Sequence, residues 1–150
     1  NNEYPQPYSP RASSMHDMAE DLYHQLFQIE LNHTIEQFGN YFLLLPKTLP
    51  YLKGLGVIRA GVLLGEAKTN RIEPAHAAFM SSKPEELNCL VELSHDSKQI
   101  FDFLRGEEIE IQGGVKGFAG VSVDGVVTGF GKGSNGRLKN HYPKGLRNNT

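Results

Sequence analysis

A chain of 150 residues and 16.7 kDa has room for one compact domain or two small ones. Hydrophobic residues make up 39% and charged residues 21%, with eight Phe and six Tyr, so a packed core is expected and bulk disorder is excluded. The net charge of −2 rules nothing in, the longest apolar run (Tyr41 to Leu45) is far too short for a membrane span, and the single Cys89 excludes an internal disulfide.

Residues 1–13 carry Pro5, Pro7 and Pro10 with Tyr4 and Tyr8 between them, the pattern of an extended linker. The chain opens on Asn-Asn-Glu without an initiating Met or a basic-then-apolar leader, so a piece of a longer, non-secreted protein is expected. From Ser14, a candidate cap with Asp17 as its partner, Met15, Met18, Leu22, Leu26 and Ile29 recur at helical steps. One long helix or two short ones running to Gly39 fit this spacing. Tyr41 to Leu45 reads as a strand, and Val57 to Lys68 as a second extended stretch broken by Gly61 and Gly65. Pro74 suits the first turn of a short helix over Ala75 to Met80. Leu90 to Leu93 reads as a short strand, followed by a helix capped by Asp96 with Gln99 as partner, burying Ile100, Phe101 and Leu104 and ending at Gly106. Beyond it the chain is all β: Glu108 to Ile111, then Phe118 to Val123 and Val126 to Phe130 joined by the hairpin turn Asp124-Gly125. The fold class is therefore α+β, with a helix-strand segment over residues 14–82 and a β-rich domain over residues 83–150.

Charge is unevenly spread. Residues 83–110 hold eight acids against three bases, whereas residues 111–150 hold six bases against the single acid Asp124. The segment Gly129 to Arg147 carries Lys132, Arg137, Lys139, Lys144 and Arg147 with no acid, interleaved with Phe130, His141 and Tyr142. Lys and Arg neutralise phosphates, aromatic planes stack on unpaired bases, and Asn140 and His141 can hydrogen-bond to base edges or a 2′-hydroxyl. A second cluster, Lys68, Asn70 and Arg71, precedes Pro74-Ala75-His76 in what reads as a strand-to-helix turn, where helix-start amides could also hold a phosphate.

Other motifs resolve to less. Gly131-Lys-Gly-Ser-Asn-Gly136 matches G-x-G-x-x-G, but no helix is expected there and no acid follows Asp124, so the glycines are expected to serve a turn or a close backbone approach. His16, His24, His33, His76, His95 and His141 lack metal-ligand spacing. The pairs Glu85-Glu86 and Glu107-Glu108 read as solvated edges, and Cys89 as a small buried hydrophobe. No catalytic residue and no metal site is expected.

Two stretches carry a resemblance. Gly61-Val-Leu-Leu-Gly-Glu-Ala-Lys-Thr-Asn-Arg-Ile-Glu-Pro-Ala-His76 and Gly129-Phe-Gly-Lys132 through Lys139-Asn-His-Tyr-Pro-Lys-Gly-Leu-Arg147 resemble the C-terminal part of bacterial ribosomal-RNA cytosine-5 methyltransferases of the Sun type. The likeness covers roughly Gly39 to Arg147. It implies a PUA-like RNA-binding domain, a small β-barrel, behind an α/β segment. It further implies a cytoplasmic parent enzyme whose separate catalytic domain uses S-adenosylmethionine. The family's chemistry takes two cysteines; this chain has one Cys and no Pro-Cys dipeptide, so Cys89 is not carried over as catalytic. Ribosomal RNA and the parent's catalytic domain are the expected partners, and neither DNA nor a membrane is. Contacts are expected from Lys68, Asn70, Arg71, Lys132, Arg137, Lys139, Asn140, His141, Tyr142, Lys144 and Arg147. A second reading stays open, in which the basic segment docks on the catalytic domain and touches no RNA.

Overall fold

The computed structural model describes residues 10–47 and 61–141, with side chains from Met15 onward. Residues 1–9 of the linker expected over 1–13, the start of the stretch expected from Val57, and Tyr142, Lys144 and Arg147 lie outside the described residues, while residues 10–13 are helical rather than linker. Contacts divide the chain into two compact units, residues 10–24 with 30–78 and residues 25–29 with 79–141.

The first unit opens on helix α1 (Pro10–Leu26), which begins one turn before the expected Ser14 cap. Of the expected stripe Leu22 and Leu26 are buried, with Ala19 and Tyr23 beside them; Met15 and Met18 are half-buried, and Ile29, past the end of the helix, is exposed, as are Asp17 and Asp21. Helix does not continue to Gly39. Residues 33–38 instead form strand β1 (His33–Phe38), antiparallel to β2 (Tyr41–Pro46). Gly39, at φ 61°, and Asn40 make the two-residue connection, so Gly39 turns a hairpin rather than ending a helix. Strands β3 (Val62–Ala67) and β4 (Ile72–Pro74) complete a four-stranded sheet in the order β1-β2-β3-β4. Pro74 thus closes an edge strand, which needs no donor there, and the short helix α2 (His76–Met80) starts after it. A Cβ at Gly65 would lie 2.6 Å from the Glu73 carbonyl oxygen, the close approach expected of that glycine.

The second unit is a five-stranded sheet with one short helix. Strand β5 (Leu90–Leu93) runs parallel to β7 (Gly117–Val123). The remaining pairs, among β6 (Ile109–Glu110), β7, β8 (Val126–Ser134) and β9 (Arg137–Asn140), are antiparallel, giving the order β5-β7-β8-β9-β6. The sheet curls into a half-barrel, an α+β arrangement as read from the sequence. Helix α3 (Lys98–Leu104) buries Ile100 and Phe103 into a core with Leu93, Ile109, Ala119, Val121 and Leu138. Phe101, expected in that face, is exposed. The cap is Ser97, whose hydroxyl accepts from the Ile100 amide at 3.2 Å; Asp96 accepts from the Ser94 hydroxyl instead. Gly106 follows the helix at φ 92°, where a side chain would be strained. On the exposed flank Asp102 accepts from Lys98 at 2.8 Å and pairs with Arg105; the Lys98 hydrogen bond is the main cause of its carboxyl lying below the usual range. Residues 25–29 belong to this unit through backbone bonds from Asn88 to Leu26 (2.9 Å) and from Gln28 to Glu86 (3.0 Å). No helix among the described residues is long and apolar enough to cross a membrane.

The glycines of β8 set how closely the strands pack. A Cβ at Gly131 would lie 2.5 Å from the Lys139 carbonyl oxygen and 2.8 Å from the Leu138 side chain. Gly114 has no neighbour within 4 Å. Gly131→Ala is expected to cost about 1–3 kcal/mol by overpacking, and Gly114→Ala less than about 0.5 kcal/mol. Equal urea midpoints for the two variants would contradict this packing.

Candidate nucleic-acid interface

The site lies on the outer face of the second unit's sheet, and a β-bulge creates it. Asp124 and Gly125, both at positive φ (51° and 80°), turn the β7–β8 hairpin with Val123 opposite Val126 and Ser122 opposite Val127. Between Ser122 and Val121 the register slips by one residue, so that Val121 faces Gly129 and Phe118 faces Lys132. Thr128 is the extra residue, its hydroxyl donating to the Val121 carbonyl at 3.1 Å. Without the slip, Phe118 would stand opposite Gly131.

Strand β9 adds the next column. Asn135 and Gly136, at φ 54° and 77°, turn the chain, and Lys139 falls directly opposite Lys132. Alternation then decides each side chain's direction. Leu138 and Asn140 point to the core, while Arg137 and Lys139 point to solvent. The result is a cross-strand row Phe118–Lys132–Lys139. The Lys132 ammonium sits 5.3 Å from the centroid of the half-buried Phe118 ring. Next to Lys132 along β8, on the same face, Phe130 is buried and stacked on Phe79 at 4.2 Å, with the rings 7° from parallel. His141 donates its backbone N–H to the Phe130 carbonyl at 3.0 Å. Its half-buried ring lies 5.3 Å from Phe130 and stands perpendicular to Phe118 at 5.8 Å.

The electrostatics of this row are unusual. Two lysines face each other across neighbouring strands, an arrangement that repels. Among the described residues no carboxylate pairs with either of them. Arg137 differs: its guanidinium donates to Glu108 at 2.8 Å and lies 3.9 Å from Glu110, so its charge is already compensated.

The expected contact residues among those described fall into four groups. Lys132, Lys139 and His141 come together on one face. Arg137 borders it with its charge matched. Asn140 differs from the others: it is buried and donates its side-chain amide to the Phe103 carbonyl, on the core side of the sheet. Lys68, Asn70 and Arg71 lie in the first unit, in the turn between β3 and β4 rather than at a helix start, so helix-start amides do not back them. There Lys68 pairs with Glu66 at 3.4 Å and Arg71 with Glu73 at 3.2 Å. Phe118 is the residue that sequence reasoning missed. Counting back from the Asp124-Gly125 turn sets it opposite a glycine, because nothing in the residues announces the bulge.

Two other chemistries have less behind them. His16, Asp17 and Glu20 bring one ligand atom each within 4.8 Å of one another, but on the solvent side of α1, where acidic groups commonly gather without an ion. The glycine motif Gly131 to Gly136 lies within β8 and its turn into β9, strand to strand. The described residues therefore hold no strand-to-helix cradle of the kind a methyl donor or dinucleotide needs from that motif.

With this geometry in view, two comparisons bear on the chain. Residues 91–148 match the family model for the PUA domain of methyltransferase RsmF, and residues 19–81 match that for the first C-terminal domain of the RsmF rRNA methyltransferase. The chain belongs to the RsmF-type Sun rRNA methyltransferases, in their C-terminal region. A search of curated proteins gives no match. The RsmF PUA match takes in β7, β8 and β9, so the Phe118–Lys132–Lys139 row lies within a PUA-like fold.

The buried amide of Asn140 can be tested without RNA. Asn140→Ala leaves the Phe103 carbonyl without that donor, and a loss of about 1–3 kcal/mol in unfolding free energy is expected. An unchanged denaturation midpoint would return Asn140 to the surface, where it could meet RNA.

Proposed function

We propose that this region binds ribosomal RNA through the outer face of the second unit's sheet and thereby positions it for methyl transfer by the catalytic domain of the parent enzyme. Lys132 and Lys139 contact phosphates, and His141 lies against the nucleotide between them. The observation that carries this reading is the pair of opposed lysines with no acid partner among the described residues. Their mutual repulsion weakens the sheet, and an anion on that face would relieve it. Lys68, Asn70 and Arg71 form a second edge of contact, with the weaker role that their ion pairs allow. Tyr142, Lys144 and Arg147, which follow His141 in the sequence, are assigned to the RNA contact as well. We assign residues 14–82 to the segment preceding the RNA-binding domain and residues 83–150 to that domain. S-adenosylmethionine belongs to the parent's catalytic domain and the work is cytoplasmic, as the family suggests.

The competing reading is a face that docks on the catalytic domain and leaves RNA alone. Counterion release separates the two, because each phosphate that is no longer neutralised takes about 0.7–0.9 from the slope of log affinity against log salt. Lys132→Ala with Lys139→Ala is expected to weaken binding to a structured ribosomal-RNA fragment and to flatten that slope by about 1.4–1.8. Anisotropy titrations at two salt concentrations read both quantities. An unchanged affinity and slope would remove this face from the RNA interface and favour docking.

A further inference from the structure

The lysines account for affinity toward any polyanion, but Phe118 adds a requirement that they do not. We infer that the Phe118 ring is a stacking platform for one unpaired base, so that this face takes single-stranded or junction RNA rather than the side of a duplex. The inference rests on the RNA-binding reading of the same face and narrows it to a class of RNA.

Geometry leads to this assignment. Phe118 is half-buried, one side of its ring environment being taken by Phe130 at 6.2 Å and by the perpendicular His141 ring at 5.8 Å. By register Phe130 is the diagonal neighbour of Phe118 on the same face of the hairpin, and the Phe130 and His141 rings pack against it. Among the described residues the Lys132 side chain lies over the face of the ring, its ammonium 5.3 Å from the centroid. A lysine is a flexible cover. When it swings to a phosphate, it exposes a ring held in place by packing, and Lys139 stands one strand further along the same row. A nucleotide has its charge and its flat base separated in the same sense, phosphate on one side and π-face on the other. Bases inside a duplex are already stacked on each other, and the deep, narrow major groove of RNA admits no side chain; only unpaired bases can reach a ring on a sheet face.

An oligoribonucleotide carrying 2-aminopurine distinguishes the outcomes, because its fluorescence changes when the base stacks on a ring. A blunt RNA duplex of the same phosphate count serves as the second probe, both being titrated into the full chain. The wild-type protein is expected to prefer the single strand and to quench the probe. Phe118→Leu, which keeps the apolar bulk without the π-face, is expected to lose single-strand affinity by about tenfold or more, with duplex affinity unchanged. Phe118→Tyr restores both the preference and the quench. Equal binding of the two probes by the wild-type protein, without quenching, would overturn the stacking role while leaving the phosphate contacts standing. Absence of binding to either probe at low salt would overturn the RNA reading itself. The wild-type quench does not depend on any variant folding.

Discussion

The candidate site depends on one slipped register. The bulge at Val121/Ser122 adds Thr128 to β8, and everything beyond it in the hairpin is displaced by one residue. Because side chains alternate along a strand, a one-residue slip exchanges the partners across the ladder. Phe118 comes to face Lys132, and through the β8–β9 turn Lys139 joins the same row. The same alternation places Gly131 and Gly133 on the inner side, where Cβ atoms would meet the Lys139 and Val115 carbonyl oxygens at 2.5 and 2.7 Å. Glycine spacing and basic spacing in residues 129–139 are thus two faces of one strand. What looks in sequence like a dinucleotide motif is, in the fold, close packing on one side and a cationic row on the other.

Buried aromatics lie beside the row on the same face of the sheet. The parallel stack of Phe79 on Phe130 fills the space over the sheet, and a Cβ at Gly120 would meet the Leu87 side chain at 2.4 Å, so this part of the unit is packed to contact. His141 and Phe118 are the outermost rings of the same aromatic group. Apolar burial therefore holds the rings, and the rings in turn hold the platform at which the lysines end. The acids do not intrude: Glu108 and Glu110 are engaged with Arg137 at the β6 edge, leaving the middle of the row cationic.

Much of this fold is legible in the residues where a local signal is strong. Strand β5 has the bounds its apolar run suggests, the Asp124-Gly125 turn is where two strands meet, and Gly106 takes the positive φ that ends α3. The departures share a cause, which is a weak or two-sided local signal. Strand β1 buries only Ile35 and exposes Glu36, Gln37 and Phe38, so its period-2 signal is too faint to compete with the helical spacing before it. The Gly39-Asn40 pair is the cue that points to a hairpin there. Asn140 looks like a surface residue until β9 is recognised as a strand; once Leu138 is inside, alternation sends Asn140 inside too. Pro74 is ambiguous because an edge strand tolerates proline as readily as a first helical turn does. The resemblance to the Sun-type enzymes, carried by the glycine- and lysine-rich stretches, is shared with the RsmF family matches. The bulge is legible in neither.

The central claim is that RNA meets the Phe118–Lys132–Lys139 row. The most direct test is an amide chemical-shift titration of the isotope-labelled chain, whose 16.7 kDa suits the method, with a ribosomal-RNA fragment containing an unpaired segment. We expect saturable, salt-sensitive shifts centred on Phe118, Lys132, Lys139 and His141. Shifts that leave these four unmoved and gather elsewhere, or none at low salt, would contradict it.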